Sequence, residues 1–150
     1  MSYRETQRLR EIAIQAIEGI REYYSDEQKL AWKSSFLNFS EWSESLSRQT
    51  VFTGKRKNSV VGFMSLTGAG LIDYAFIHPD FQGQGLFREI FEELENFALK
   101  ERMPVLVTNA SLIAEPAFKG VGFEAIEEQR VERSGIHLNR IKMEKTIIKN

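Results

Sequence analysis

The segment from Gly70 to Ala98 constrains this chain more than any other. Gly70-Leu71-Ile72-Asp73-Tyr74-Ala75-Phe76-Ile77 reads as a β-strand, and Pro79 ends it because proline cannot donate to a ladder. Gln82-Gly83-Gln84-Gly85 follows, and then an amphipathic helix. Leu86, Ile90, Leu94 and Phe97 form its apolar stripe, widened by Phe87, Phe91 and Ala98. Gly83 and Gly85 let consecutive backbone N–H groups turn into one concavity, and the helix start adds about half a positive charge. That combination makes a cradle for phosphate. Neither named phosphate fingerprint completes, however. The dinucleotide motif needs a third glycine where Arg88 stands, and the P-loop needs Gly-Lys-Ser/Thr, which is absent.

The remaining elements fix the architecture. Leu9, Ile12, Ala16, Ile17, Ile20 and Tyr24 recur at helical steps. Ser25-Asp26-Glu27-Gln28 caps a second helix carrying Leu30 and Trp32, and Ser40-Glu41-Trp42-Ser43-Glu44 caps a short third one. Trp32 and Trp42 read as core or as a wall against substrate. The period then changes to that of strands over Thr50–Gly54 and Ser59–Ser65, with Lys55-Arg56-Lys57-Asn58 as a solvated turn. Pro104–Thr108 is a buried-type strand, a short helix runs from about Glu115 to Lys119, and two strands over Glu124–Arg133 and Ile136–Ile148 close the chain. This order predicts an α/β layer architecture with a mixed sheet, and a length of 150 residues predicts one domain over 1–150.

Composition excludes several function classes. Twenty Lys and Arg against 21 Asp and Glu give a net charge of -1 with no basic stripe, so no nucleic-acid partner is expected. The absence of cysteine removes disulfides, thiolate catalysis and cysteine-ligated metal. The only two histidines, His78 and His137, leave no expectation of a metal site. No apolar run approaches the length of a membrane span, and the charged start Met1-Ser2-Tyr3-Arg4-Glu5 lacks the apolar core of a signal peptide. A cytoplasmic protein with no membrane partner is expected.

Two motifs are more specific than any single glycine pair. Ile77-His78-Pro79 precedes Gln82-Gly83-Gln84-Gly85, and Ser111, Ala114, Phe118 and Gly122-Phe123 follow in order. With both in place, and the flanking elements in order, the chain resembles the GNAT superfamily of acyl-CoA-dependent N-acetyltransferases. The resemblance implies a mixed, mostly antiparallel central sheet flanked by helices and splayed into a V-shaped cleft for CoA. It implies acetyl-CoA as co-substrate, no metal, and direct transfer to a primary amine of a small molecule or protein. A homodimer is compatible with it. The pyrophosphate would lie on Gln82, Gly83, Gln84, Gly85 and Leu86, with Phe87 and Arg88 beside it. Pantetheine would enter as a pseudo-strand against the backbone of Phe76 and Ile77, near Ser111 and Phe118. The Ile77 N–H would face the thioester oxygen, where charge develops as the amine attacks.

The chain departs from the family pattern at three places. Phe87 stands where the loop usually ends in glycine or alanine. Gln84 replaces a commonly basic residue, with Arg88 as compensation. Phe118 takes the place of the tyrosine that often protonates the departing thiolate, and it carries no proton. Lysine-like amines, with a reference pKa of ~10.4, need a proton acceptor. Asp73 is the candidate, since it stands four residues before Ile77 and alternation gives it one face with Ala75 and Ile77. Tyr74 then packs on the other face. Tyr23 and Tyr24 are weak candidates for a replacement acid, and His78 reads as a surface turn. The alternative function is a GNAT-fold module that holds CoA with little catalysis, as a sensor or partner.

Overall fold

The computed structural model describes residues 1–149. Helix α1 (Tyr3–Glu18) opens on Ser2, whose hydroxyl accepts the Glu5 N–H, and buries Leu9, Ile12, Ala13, Ala16 and Ile17. It stops at Glu18, so Ile20 and Tyr24 belong to an irregular connection rather than to the helical stripe. Helix α2 (Asp26–Lys33) starts in the capping box that Ser25 and Gln28 make together. Helix α3 (Phe39–Ser47) is capped by Asn38, whose Oδ1 accepts the Glu41 N–H at 3.0 Å, and not by Ser40 as expected. A side-chain oxygen satisfies the N–H three residues on, and here that residue is Glu41.

Strands β1 (Thr50–Arg56) and β2 (Ser59–Leu66) form a hairpin. Its turn is shorter than expected, because β1 continues through Arg56 and only Lys57 and Asn58 turn, both with positive φ. Then come β3 (Leu71–Ile77), α4 (Leu86–Lys100), β4 (Val105–Ser111), α5 (Glu115–Gly120), β5 (Glu124–Arg133) and β6 (Ile136–Thr146). The six strands lie in the order β1-β2-β3-β4-β6-β5. Only β3 and β4 pair parallel, because α4 connects them; every other pair is antiparallel.

A core forms on each face of the sheet. On one, α4 presses Leu86, Ile90, Phe91 and Leu94 against Met64, Leu66 and Ile72. On the other, α1 and α3 enclose Phe36, Trp42 and Phe63. Trp42 is fully buried there, its Nε1 donating to the Thr6 carbonyl at 3.0 Å. Gly54 and Gly62 oppose each other across β1 and β2, under the first turn of α4. A Cβ on Gly54 would stand 2.5 Å from Leu86 Cδ1, so the two glycines set how closely α4 lies on the sheet.

Candidate active site

The parallel pair holds the key irregularity. Strands β3 and β4 pair only at Leu71–Val107 and Ile72–Thr108, and then the ladder stops. On its other side β3 carries a bulge: Leu66 opposes Ile72 and Ser65 opposes Tyr74, which leaves Asp73 without a partner. A bulge bends its strand and sharpens its twist, and β3 leaves β4 immediately after it. The sheet therefore opens into a V between β3 and β4.

The register decides which backbone groups face this gap. His78 N–H donates to the Val61 carbonyl at 2.8 Å, so those two residues form a hydrogen-bonded pair. By alternation Phe63–Phe76 is the next such pair, while Ala75 and Ile77 turn their N–H and C=O groups away from β2. Those groups look into the gap, beyond the last β3–β4 pair. Gln82 Nε2 donates to the Ile77 carbonyl at 3.1 Å, closing the strand end. The expected pairing around Phe76 and Ile77 therefore shifts by one residue. Phe76 spends its backbone on β2 and its ring in the aromatic core, and Ala75 joins Ile77 at the gap.

A cleft of about 860 Å³ runs through the V, and its walls contain Asp73, Phe76, Ile77, Gln82, Gly83, Gly85, Leu86, Phe87, Arg88, Ser111 and Phe118. Of the residues expected around the cofactor, only Gln84 stands outside it. Gly83 and Gly85 both have positive φ, 73° and 81°, which glycine adopts without strain. An added Cβ at either would meet nothing within 4 Å, so the space over the loop is open. Gly85 precedes α4 without any side-chain cap, so the first N–H groups of the helix have no side chain over them. The Leu86 side chain is buried, against Gly54 and Gly62 of the sheet. Arg88 extends to α5, donating to the Gly120 carbonyl at 2.7 Å.

Other expected residues occupy more structural positions. Ser111 Oγ accepts the Ala114 N–H at 3.1 Å and so starts the turn into α5. Phe118 is 1% exposed and packs edge-on against Phe87 at 5.0 Å and Phe123 at 5.1 Å. His78 Nδ1 accepts the Asp80 N–H at 3.1 Å, which is the turn role expected of it.

Asp73 is exposed, and its Oδ2 accepts from Gln49 Nε2 at 2.9 Å. The expectation that it shares a face with Ala75 and Ile77 fails, because the bulge interrupts alternation. Ala75 and Ile77 pack on the α4 side, while Tyr74 and Phe76 pack with α1 and α3, and Asp73 is held next to that second group. Tyr74 packs as expected, against Trp42 at 4.9 Å, and its hydroxyl meets Ser45 Oγ at 3.1 Å.

Sequence reasoning gave Tyr24 too little. Its hydroxyl accepts the Leu112 N–H at 2.9 Å and donates to the Asn139 carbonyl at 2.8 Å. It thereby ties the α1–α2 connection to the end of β4 and to β6, across one mouth of the cleft. Burial pushes its pKa above the ordinary value, opposed by the Leu112 hydrogen bond. Helical spacing hid this role, since Tyr24 falls on the extrapolated stripe of α1. Arg140, also passed over, lines the same cleft and donates from Nε to Gln129 Oε1 at 2.9 Å.

Comparison with known proteins places this geometry. A family model described as an acetyltransferase (GNAT) domain matches residues 20–147. The Escherichia coli K12 protein called uncharacterized N-acetyltransferase YafP is 30% identical over 114 residues, 76% of this chain and 71% of its own length. The crystal structure of a GCN5-related N-acetyltransferase from Rhodopseudomonas palustris, also styled aminotransferase, class-II, superposes with a TM-score of 0.93 at 27% identity, over 98% of this chain and 92% of that one. The paia N-acetyltransferase of Thermoplasma acidophilum, solved in complex with coenzyme A, shares the fold with a TM-score of 0.73 at 15% identity, over 97% of this chain and 95% of that one. A family match of that span, on a sheet that splits beside the glycine loop, leaves one assignment: this chain belongs to the GNAT acetyltransferases.

Proposed function

We propose that this protein transfers an acetyl group from acetyl-CoA to the primary amine of a small molecule or protein. The observation that carries the proposal is the free edge of β3: the backbone of Ala75 and the Ile77 N–H face a gap that starts one loop away from an open glycine cradle. An extended chain with amides can add to such an edge as a strand does, and an anion can lie on the loop and helix start. Both features fit the two ends of acetyl-CoA, which when bound would supply an activated acyl thioester.

The chain's own groups then have defined tasks. Residues 82–86 hold the pyrophosphate through backbone N–H groups, with the α4 dipole behind them. The carbonyl and N–H of Ala75 and the N–H of Ile77 orient the pantetheine arm. The Ile77 N–H, fixed by the ladder on either side of it, stabilises negative charge growing on the thioester oxygen. Asp73, which still lines the cleft although it does not share a face with Ile77, is held by Gln49 and takes the proton that the acceptor amine must lose. Phe118 gives no proton to the sulfur. With a model thiol pKa of ~8.5, departure as thiolate near neutral pH does not demand one.

One observation favours the alternative of a silent CoA-binding module. The ring where the family often carries an acid is a phenylalanine packed against Phe87 and Phe123, and it bears no hydroxyl. The experiment that separates the readings is free-thiol release from acetyl-CoA with a panel of amines. Release above the no-enzyme rate with at least one amine supports the enzyme. CoA binding without release for every amine supports the module.

A further inference from the structure

The wall of the cleft formed by β5 and β6 carries two arginines, Arg133 and Arg140, with the Asp73 carboxylate in the same cleft. Arg140 of β6 lies opposite Ser111 of β4 and opposite Gln129 of β5. Directly opposed side chains project to the same face, and the Arg140–Gln129 hydrogen bond fits that geometry. Because Gln129 engages Nε, the end-on fork of Nη1 and Nη2 remains for another partner. Arg133, on the same face of β5, also lines the cleft, and its one hydrogen bond goes to the Glu132 carbonyl at 3.1 Å. Among the described residues neither arginine forms an ion pair.

The charges are arranged as a complement to a short zwitterion. Arg140 is half-buried, and its pKa is pushed down by burial and by Arg133, then back up by Asp73. Asp73 offsets this only in part, so two like charges close enough to perturb each other are left without a salt-bridge partner, an arrangement that an arriving anion relieves. These arginines do not serve the pyrophosphate. The glycine loop opens α4, which covers the opposite face of the sheet. The register also sets the span. Thr108 opposes Ile72 and Ser111 opposes Arg140, which puts Arg140 level with Ala75 along the strands. Two strand spacings separate their backbones, about 10 Å before splaying. Arg140 Nε is held by Gln129 of β5, so the acceptor must bridge from that side of the cleft to the Ile77 N–H.

We propose that the acceptor is a free amino acid, its carboxylate held by the Arg140 fork with Arg133 beside it, and its amine directed toward Asp73 and the Ile77 N–H. This rests on the acyl-transfer reading above and narrows it. In the reaction the amine nitrogen bonds the acetyl carbon and the thioester C–S bond breaks. The nitrogen's proton goes to Asp73, and CoA leaves as thiolate. A guanidinium fork matches a carboxylate bidentately, which a carboxamide cannot reproduce.

The test is calorimetric and needs no turnover. N-acetylglycine, N-acetylleucine and N-acetylphenylalanine, and the carboxamide of each, are titrated into the protein with and without CoA. At least one acid is expected to bind about tenfold or more tighter than its carboxamide. Arg140→Gln should erase that preference, and Arg140→Lys should keep only part of it, while both retain wild-type CoA affinity and a native circular dichroism spectrum. No preference in any pair, or a preference that survives Arg140→Gln, overturns the proposal. Carboxylate preference without thiol release from any amine would defeat the acyl-transfer reading and support this site. Thiol release as fast with amines lacking a carboxylate as with amino acids would do the reverse.

Discussion

Gly54→Ala offers a sharp test of how the sheet positions the glycine loop. The new Cβ would lie 2.5 Å from Leu86 Cδ1, 2.8 Å from Ile90 Cδ1 and 2.9 Å from Ile90 Cγ1, where ordinary contact begins at 3.4 Å. Both neighbours are almost fully buried, at 2% and 1% exposure, so neither side chain can swing aside into solvent. The first turn of α4 must therefore rise by a substantial fraction of an ångström. Overpacking of this kind costs about 1–3 kcal/mol. At about 2–4 °C per kcal/mol for a chain of this size, Tm should fall by about 2–12 °C. Because Leu86 directly follows Gly85, acetyl-CoA affinity should fall with it. Thermal melts followed by circular dichroism measure the first effect and calorimetry the second. Gly68→Ala is the control, since its Cβ would meet nothing within 4 Å and should change neither. A Gly54→Ala variant that melts with the wild type and binds acetyl-CoA equally well would refute the reasoning that this glycine pair sets the height of α4.

Four further outcomes follow from the site. Asp73→Asn should lower kcat by about 10²–10⁴ while leaving CoA affinity near wild type, and steady-state kinetics with the true acceptor would show it; an unchanged kcat moves the base to water or backbone. Tyr24→Phe strands the Leu112 N–H and should cost about 1–3 kcal/mol in a urea melt. Burial raises the pKa of both Tyr24 and Tyr74 above 10.0, so the native state holds those protons longer than the unfolded chain. Stability from them is complete below pH ~10 and is lost as pH rises through the native values, with a smaller loss in Tyr24→Phe. Phe118→Tyr, if folded, should change kcat by less than about threefold across pH 6–9, because thiolate departure near a pKa of ~8.5 needs no dedicated acid. A large gain would instead identify proton donation as the limiting step.

Much of the fold was legible because its signals are local. The strand–proline–glycine–helix sequence at 71–98 appears in the structure as β3, the loop and α4, and the capping box at Ser25 and Gln28 is where its residues predict. The loop residues facing the cleft were legible for the same reason, Gln84 excepted. What escaped was set by partners far along the chain. The bulge at Asp73 exists only against Ser65 and Leu66, so strand alternation misassigned its face. Phe76 and Ala75 exchange roles because the register with β2 decides which backbone groups are free. Tyr24 acts through Leu112 and Asn139, and Arg140 through Gln129, contacts that no periodicity in one segment encodes. Gly54 and Gly62 carry no signal in their own strands, and their function appears only once α4 is seen lying across them.

The central claim is that acetyl-CoA binds with its pyrophosphate on the loop from Gln82 to Leu86. Calorimetry of acetyl-CoA against wild type, Gly85→Asn and Gly85→Asp tests it most directly. Asn and Asp have nearly the same shape and both tolerate the left-handed backbone at φ 81° better than other residues. Their difference therefore isolates the charge placed at the helix start. The account predicts measurable binding to wild type, weakened binding to Gly85→Asn, and none to Gly85→Asp, because an anion there repels an anion. Absence of acetyl-CoA binding to wild type, or equal binding to Gly85→Asn and Gly85→Asp, would contradict it.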